Sequence, residues 1–197
     1  NSIMKSCLEL GVVPPDDFPG KLKVFLDLLN ECSGRMNLVG PDEGTRLWKR
    51  HVLESVCYAA HLDAGSVVDV GTGAGFPGFV LALLGYSVTM VDPREKRCGF
   101  LETAARECGI TARVIRARIE EEGPFGFGTR FTARAVKKPE ELLRLLERAA
   151  PEGFTLLTRV PDAVGAYVGN CVFHRLPAPP LDREGFLLQY SHSDNHE

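Results

Sequence analysis

The sequence predicts an α/β protein with a doubly wound, mostly parallel seven-stranded sheet and an N-terminal helical extension. The first observation behind this prediction is a buried-strand pattern that leads into a glycine-rich turn and an apolar helix over residues 67–84. The second is the alternation of strand and helix patterns from residue 66 onward. The length of 197 residues suits one domain with a modest extension, and we divide the chain into 1–62 and 63–197.

The N-terminal extension is expected to be helical, although residues 1–20 carry only a weak pattern. A helix over 21–31 is predicted because apolar residues recur at helical spacing, at Leu22, Phe25, Leu26 and Leu29. A second helix is predicted over 42–61, and its exposed side would carry Arg46, Lys49, Arg50 and His51. These side chains are either a solvated helix face or contacts to RNA phosphates, and the pattern leaves both interpretations open.

The rest of the chain alternates between strands and helices, as parallel sheets require. Strands are predicted at 66–70, 87–92, 112–115, 131–136, 154–158, 171–176 and 185–191. Helices are predicted at 77–84, 94–108 and 140–149. The last two strands are joined by a proline-rich segment, so we expect them to form an antiparallel hairpin that closes one edge of the sheet.

The glycine-rich turn after the first strand predicts a nucleotide-type ligand site, because glycines let a ligand approach the backbone at a helix N-terminus. The spacing of Gly73, Gly75 and Gly78 fits a dinucleotide fingerprint, but that pattern alone is weak. Asp69, at the end of the strand, suits the cationic amino-acid end of S-adenosylmethionine better than a pyrophosphate. Asp92, at the end of the next strand, can accept hydrogen bonds from ribose hydroxyls in either class. S-adenosylmethionine is therefore favoured over a nicotinamide or flavin cofactor and over a fold that binds nothing.

Two further strand ends offer candidate contacts to this ligand. A carboxylate after the third strand, Glu120, can accept a hydrogen bond from the exocyclic amine of adenine, or it belongs to a solvated acidic run with its neighbours. Arg134 lies on the fourth strand among apolar residues. A buried arginine needs partners, so Arg134 is either a ligand contact or a structural ion pair.

The sequence lacks the motifs of two classes of methylase. The chain lacks the Asn/Asp-Pro-Pro-Tyr/Phe segment of exocyclic-amine methylases and the Pro-Cys pair of pyrimidine-C5 methylases. A target that already carries a lone pair and no proton, such as guanine N7, needs neither motif. Catalysis then requires only that the target atom is held in line with the methyl group, and we predict no certain catalytic residue. The six cysteines are scattered without a CxxC pair, so no metal site is predicted.

Composition constrains partners and location. The net charge of −3 does not indicate a general nucleic-acid binder, so any RNA binding must use a local cationic patch. No stretch is apolar enough to span a bilayer or to serve as a signal peptide. We therefore expect a cytoplasmic protein without membrane contact, acting as a monomer.

Several motifs together resemble the bacterial 16S ribosomal RNA guanine-N7 methyltransferase family, also called glucose-inhibited division protein B. They are Asn37-Leu38, 49–55, 68–78, Lys96-Arg97-x-x-Phe100-Leu101, Arg118-Ile119-Glu120 and Arg134-Ala135-Val136. The resemblance implies a class I, Rossmann-like fold and methyl transfer from S-adenosylmethionine to a guanosine N7 in the 530 loop of 16S rRNA, within the small ribosomal subunit. It also implies cofactor contacts at Gly71, Phe76, Ile119, Glu120 and Arg134. The strand-end argument adds Asp69 and Asp92, and the glycine turn adds Gly73 and Gly75.

The part of the pattern that concerns the substrate departs from the family. Glu54 stands where the family has aspartate, Thr158-Arg159 where it has Lys-Gly, and a Trp-Asn pair is missing. The alternatives are a small-molecule methyltransferase on the same fold, a non-catalytic relative and an NAD(P)-binding module. For RNA contact we predict Arg46, Lys49, Arg50, His51, Lys137, Lys138 and Arg159, with Arg94, Lys96 and Arg97 as a second cluster.

Overall fold

The computed structural model describes residues 2–36, 47–163 and 170–193. Its centre is a seven-stranded sheet with the strand order β3-β2-β1-β4-β5-β7-β6. The strands are β1 Ser66–Val70, β2 Ser87–Val91, β3 Arg113–Ile115, β4 Thr129–Ala133, β5 Gly153–Val160, β6 Asn170–Arg175 and β7 Phe186–Ser193. Strands β1 to β5 pair in parallel, whereas β7 pairs antiparallel with both β5 and β6. The predicted fold and the closing hairpin are confirmed.

Helices cover both faces of this sheet. They are α1 Ser2–Glu9, α2 Phe18–Met36, α3 Glu54–Ala59, α4 Gly78–Leu83, α5 Glu95–Glu107 and α6 Pro139–Ala149. One apolar core contains residues of helices α2, α3, α4 and α5 together with β1 residues such as Val67. A second core contains residues of α6 together with β1 residues such as Val70. Because side chains alternate along a strand, these two cores lie on opposite faces.

The N-terminal helices pack directly on the helices of the sheet domain. The buried side of α2 carries Leu22, Phe25 and Leu29, as its spacing predicts. The Phe25 ring stacks on Phe79 of α4, with ring centroids 4.2 Å apart. The division into 1–62 and 63–197 is not tested by this packing and stays a prediction.

The structure differs from the sequence prediction in three elements. Helix α1 lies within residues that carry only a weak pattern, and its buried residue is Cys7. The described part of the helix predicted over 42–61 begins as a π-helix, Leu47–Leu53, before α3. The fourth strand ends at Ala133 rather than at residue 136, because Ala135 has a φ of +54° and turns the chain out of the sheet.

Candidate functional site

Four of the five parallel strands end in one row across the sheet, β5 continues past this row to Val160, and the row positions the candidate site. The paired residues are Ile115, Val91, Val70, Ala133 and Thr158, from β3 to β5. The next residue on four of these strands was predicted as a site residue, namely Asp92, Gly71, Arg134 and Arg159. In open α/β sheets the carboxyl ends of the strands form the ligand crevice, so the register assembles residues that are far apart in the sequence.

The glycine loop between β1 and α4 requires glycine at several positions. Gly71, Gly73 and Gly75 have φ values of +62°, +60° and +101°. Residues that carry a side chain adopt such values only with backbone strain. A Cβ on Gly71 would lie 2.8 Å from a methyl group of Val136, and one on Gly75 would lie 2.8 Å from Cβ of Phe79. The loop is therefore packed from both sides, and its backbone is held close to the strand ends.

Asp69 is fully buried beneath this loop. Its Oδ2 accepts a hydrogen bond of 3.0 Å from the backbone N–H of Gly78, and its Oδ1 accepts one of 2.7 Å from the Thr132 hydroxyl. The structure places this carboxylate inside the protein, where it positions the first residue of α4. The predicted contact of Asp69 with the amino-acid end of a cofactor stays a prediction.

Burial raises the pKa of Asp69 from its usual value of 3.8 to about 6, although the hydrogen bonds from Thr132 and Gly78 act in the opposite direction. A carboxyl whose pKa is higher in the folded state than in the unfolded state binds its proton more tightly when folded. Its contribution to stability is therefore present at low pH and is lost as pH rises from about 4 to about 6.

We expect Asp69→Asn to remove this pH dependence. The free energy of unfolding of the wild type, minus that of Asp69→Asn, should fall by about 3 kcal/mol between pH 4 and pH 7. Urea unfolding at several pH values measures this difference. Asp162→Asn, which changes an exposed aspartate, is the matched control and should show a constant difference. A constant difference for Asp69→Asn as well would contradict the raised pKa.

Asp92 connects the glycine loop to the start of α5. It is 2% exposed, and its carboxylate accepts hydrogen bonds from the backbone N–H groups of Gly73 at 3.0 Å and Arg94 at 2.9 Å. Arg97 lies against the same carboxylate at 3.4 Å. Of the predicted second cationic cluster, Arg94 and Lys96 are exposed and Arg97 turns toward Asp92. The predicted contact of Asp92 with ribose stays a prediction.

An open cavity of about 90 Å³ lies beside the glycine loop, at the ends of β1 and β2. Three predicted cofactor residues line it together, namely Gly71, Ile119 and Glu120. Its remaining wall is mainly apolar, with Val70, Val91, Pro93, Ala117, Val136, Leu142 and Leu145, and includes Arg118 and Lys137. Sequence reasoning missed Val136, although the Arg134-Ala135-Val136 motif contains it.

Arg134 is largely buried between the loop and α3. Its Nη1 lies 3.7 Å from Oε1 of Glu54 and donates a hydrogen bond of 3.3 Å to the Arg50 carbonyl oxygen. Its guanidinium carbon lies 5.3 Å from the ring centroid of Phe76. Burial lowers the pKa of Arg134, and the nearby Glu54 carboxylate acts in the opposite direction. The structural ion pair left open by the sequence is thus present, and it holds Arg134 over a predicted cofactor residue.

The described residues that were predicted to contact RNA differ in exposure and in their partners. Lys49 and Lys138 are exposed, Arg50 is half-buried, and the half-buried His51 has its ring centroid 5.2 Å from that of Phe76. Lys137 forms an ion pair with Glu141 on α6. Arg159 is only 12% exposed and pairs with Glu54 at 2.9 Å, so its guanidinium points into the protein. Arg46 and the Asn37-Leu38 motif lie outside the described residues.

Residues 2–36, 47–163 and 170–193 contain neither a membrane-spanning helix nor a cluster of metal-ligating side chains. No helix in these ranges is both long and apolar enough to cross a bilayer. The same ranges contain no group of three or more histidine, cysteine, aspartate or glutamate side chains arranged to bind a metal ion.

Comparison with known families identifies the chain's relatives. Residues 19–160 match the family described as rRNA small subunit methyltransferase G. The chain belongs to this family. Ribosomal RNA small subunit methyltransferase G of Paramagnetospirillum magneticum is 41% identical over 126 residues, which are 62% of this chain and 61% of that protein. The protein of the same name from Gluconobacter oxydans is 37% identical over 145 residues, or 71% of this chain and 73% of that protein.

A solved structure supports the fold assignment. The S-adenosylmethionine-dependent O-methyltransferase of Thermotoga maritima matches with a TM-score of 0.54 and 17% identity, covering 79% of this chain and 72% of that one. At this identity the match shows the shared class I, Rossmann-like fold alone.

The family match covers the residues predicted to contact the cofactor but does not reach the last two strands. The stretch that resembles rRNA small subunit methyltransferase G contains every residue predicted to contact the cofactor, from Asp69 to Arg134. It ends at residue 160, which is the last residue of β5. Strands β6 and β7 and the segment between them therefore lie outside the match.

Proposed function

We propose that this chain transfers the methyl group of S-adenosylmethionine to N7 of a guanosine in the 530 loop of 16S rRNA. The observation that carries the proposal is the family match over residues 19–160. The row of strand ends, the glycine loop and the adjoining cavity support it, because open α/β sheets bind nucleotides at such strand ends. The proposed substrate is the small ribosomal subunit or its rRNA, met in the cytoplasm by a monomer.

The residues around the cavity fit the adenosine part of this cofactor. Apolar side chains such as Ile119 and Val136 line a space that suits a flat aromatic ring, and Glu120 at the rim offers a carboxylate to an exocyclic amine. Gly71 and Gly73 would let the ligand approach the loop backbone, and Asp92 lies at the adjoining strand end. Phe76 and Arg134 are the residues we assign to the methionine end, on the other side of the loop.

The chemistry requires positioning rather than proton transfer. When bound, S-adenosylmethionine supplies an electrophilic methyl group on a sulfonium. Guanine N7 carries a lone pair and no proton, so the chain does not need a general base. The residues at the strand ends act by holding the two reactants in line and by excluding water. We accordingly assign no catalytic residue, and we assign Asp69 the role of positioning the loop through Gly78.

The proposed RNA surface lies next to this site. Lys49 and Lys138 are exposed, and Arg50 and His51 lie on the π-helix that contacts Phe76 and Arg134. Phosphate attraction needs clustered cations, so these residues are the best candidates around the strand ends. The N-terminal part, 1–62, is proposed to act as the extension that carries part of this surface.

Two measurements test the proposed function. Calorimetric titration with S-adenosylmethionine, with NADH as a control, tests the cofactor. Incubation with unmethylated small ribosomal subunits and labelled cofactor, followed by mapping of N7-methylguanosine, tests the substrate. Binding of NADH alone would contradict the cofactor assignment. Binding of S-adenosylmethionine with transfer only to small molecules, or with no transfer, would contradict the rRNA assignment.

A single charge at the cavity rim should control cofactor affinity. We expect Glu120→Gln to weaken S-adenosylmethionine binding by about tenfold, because a hydrogen bond from the adenine amine to a charged acceptor is replaced by a weaker one. Thermal unfolding should be unchanged, since Glu120 is exposed. Glu122→Gln removes the same charge two residues away, outside the cavity lining, and should leave affinity unaltered. Equal affinities for the two variants would exclude Glu120 as the adenine contact.

A further inference from the structure

Three arginines from three parts of the chain converge on the buried carboxylate of Glu54. Arg134 lies 3.7 Å from Oε1, while Arg159 and Arg183 lie 2.9 Å and 3.3 Å from Oε2. Glu54 is fully buried, at 0% exposure. Asp69 also acts on Arg134, so the cluster formed by the three arginines, Glu54 and Asp69 holds three positive and two negative groups. An excess of buried or half-buried positive charge is a favourable environment for an anion.

The three arginines differ in the exposed fraction of their side chains. The side chains of Arg134 and Arg159 are 14% and 12% exposed, whereas that of Arg183 is 38% exposed. Arg183 donates from Nη2 to Glu54, and its buried Nε has no hydrogen-bond partner among the described residues. A guanidinium has five N–H donors, so Arg183 keeps donors available for a ligand.

The segment that carries Arg183 is held against the end of β5. Arg159 donates from Nε to Glu54 and from Nη2 to the carbonyl oxygen of Glu184 at 2.8 Å. A Cβ on Gly185 would lie 2.7 Å from that same Nη2, so glycine allows the close approach. Arg159 and Glu54 together fix the position of Arg183.

The cluster and the cavity lie at different places along the row of strand ends. The cavity assigned to adenosine lies by β1 and β2, whereas Arg159 and Arg183 lie at the end of β5 and in the connection from β6 to β7. Phe76 and Arg134, which we assign to the methionine end of the cofactor, lie between these two places. A second reactant that approaches the methyl group would therefore pass the exposed part of Arg183.

We propose that Arg183 binds a backbone phosphate of the RNA substrate, with Glu54 and Arg159 as the residues that position it. This inference rests on the proposed function, which supplies RNA as the anionic reactant. A planar guanidinium recognises phosphate oxygens through two parallel hydrogen bonds, and one phosphate would offset the excess positive charge. Arg159, predicted from the sequence as an RNA contact, acts here through Arg183 instead.

The test compares two arginines that both lie beyond the family match. Arg183→Gln removes the proposed contact, and Arg175→Gln removes an arginine that is 71% exposed and paired with Glu184 at the surface. Methylation of small subunits is measured between about 50 and 200 mM salt. We expect Arg183→Gln to raise KM for the subunit about tenfold at low salt and to reduce the log–log salt slope by about one, with unchanged cofactor affinity. Arg175→Gln should leave KM, the slope and kcat as in the wild type.

Two further outcomes decide the inference. Arg183→Lys keeps the charge but loses the planar fork, so it should restore the salt slope while restoring KM only in part. Equal KM and equal slope for Arg183→Gln and Arg175→Gln, in an active enzyme, would overturn the inference and leave the proposed function intact. Absence of methylation by the wild type would instead count against the proposed function.

Discussion

Replacing Glu54 by glutamine is expected to lower the free energy of unfolding by about 3–5 kcal/mol. Arg134 and Arg159 are largely buried, and Arg183 is half-buried against the same carboxylate. Removing the negative charge leaves three guanidinium groups to repel one another, with Asp69 as the remaining carboxylate that acts on Arg134. The cost comes mainly from this repulsion, because glutamine keeps the size and one hydrogen-bond acceptor of glutamate.

Chemical denaturation of two control variants separates this effect from others. Glu54→Asp keeps the charge and supplies the residue usual in the family, so its loss should be clearly smaller than that of Glu54→Gln. Glu184→Gln breaks a surface pair in which both side chains are 71% exposed, and it should cost less than about 1 kcal/mol. A Glu54→Gln variant within 1 kcal/mol of the wild type would show that the arginines are compensated by other groups.

Gly75→Ala should be nearly as damaging, through packing rather than charge. The new Cβ would lie 2.8 Å from Cβ of Phe79, 3.0 Å from Leu101 and 3.3 Å from Phe25, at a φ of +101°. Backbone strain and overpacking together are expected to lower the free energy of unfolding by about 2–6 kcal/mol. Because the loop must move to make room, binding of S-adenosylmethionine should be lost in calorimetry even where the variant remains folded.

Gly85→Ala is the matched control for this substitution. Gly85 has a φ of +98°, close to that of Gly75, but a Cβ there would meet nothing within 4 Å. Its expected cost is about 1–2 kcal/mol from backbone strain alone, with cofactor binding retained. If the two variants were equally stable, the crowding around Gly75 would be of no consequence and the expectation would be wrong.

The framework of this fold could be predicted because its signals are local. The valines of β1, the glycine run and the apolar helix that follows lie within eighteen residues, 67–84, and each signal is read from neighbours in the sequence. The alternation of strands and helices then limits the topology to a parallel sheet. The positions of Gly71, Asp92 and Arg134 at the strand ends follow from the same pattern. Helix α1 was missed because its short sequence buries few apolar residues.

The direction of charged side chains could not be predicted in this way. Asp69 and Arg159 both stand at strand ends, where a charge was expected to face a ligand, and both turn inward to partners. The partners of Arg159 and Arg183 depend on Glu54, which is 105 and 129 residues away in the chain. The folded chain brings Glu54 at the start of α3 against Arg159 on β5 and Arg183 in the connection from β6 to β7. Whether a cationic side chain is exposed therefore depends on its contacts in the folded protein. The sequence shows only that the cationic residue is present.

The ring of Phe25 joins the N-terminal helix to the ligand loop. It stacks on Phe79 and lies edge-on to Phe76, with centroids 5.6 Å apart, so one side chain of α2 contacts residues on both sides of Pro77. We therefore expect the loop and the helix to open together in local unfolding, so that detachment of α2 exposes amide hydrogens of the loop to exchange with solvent.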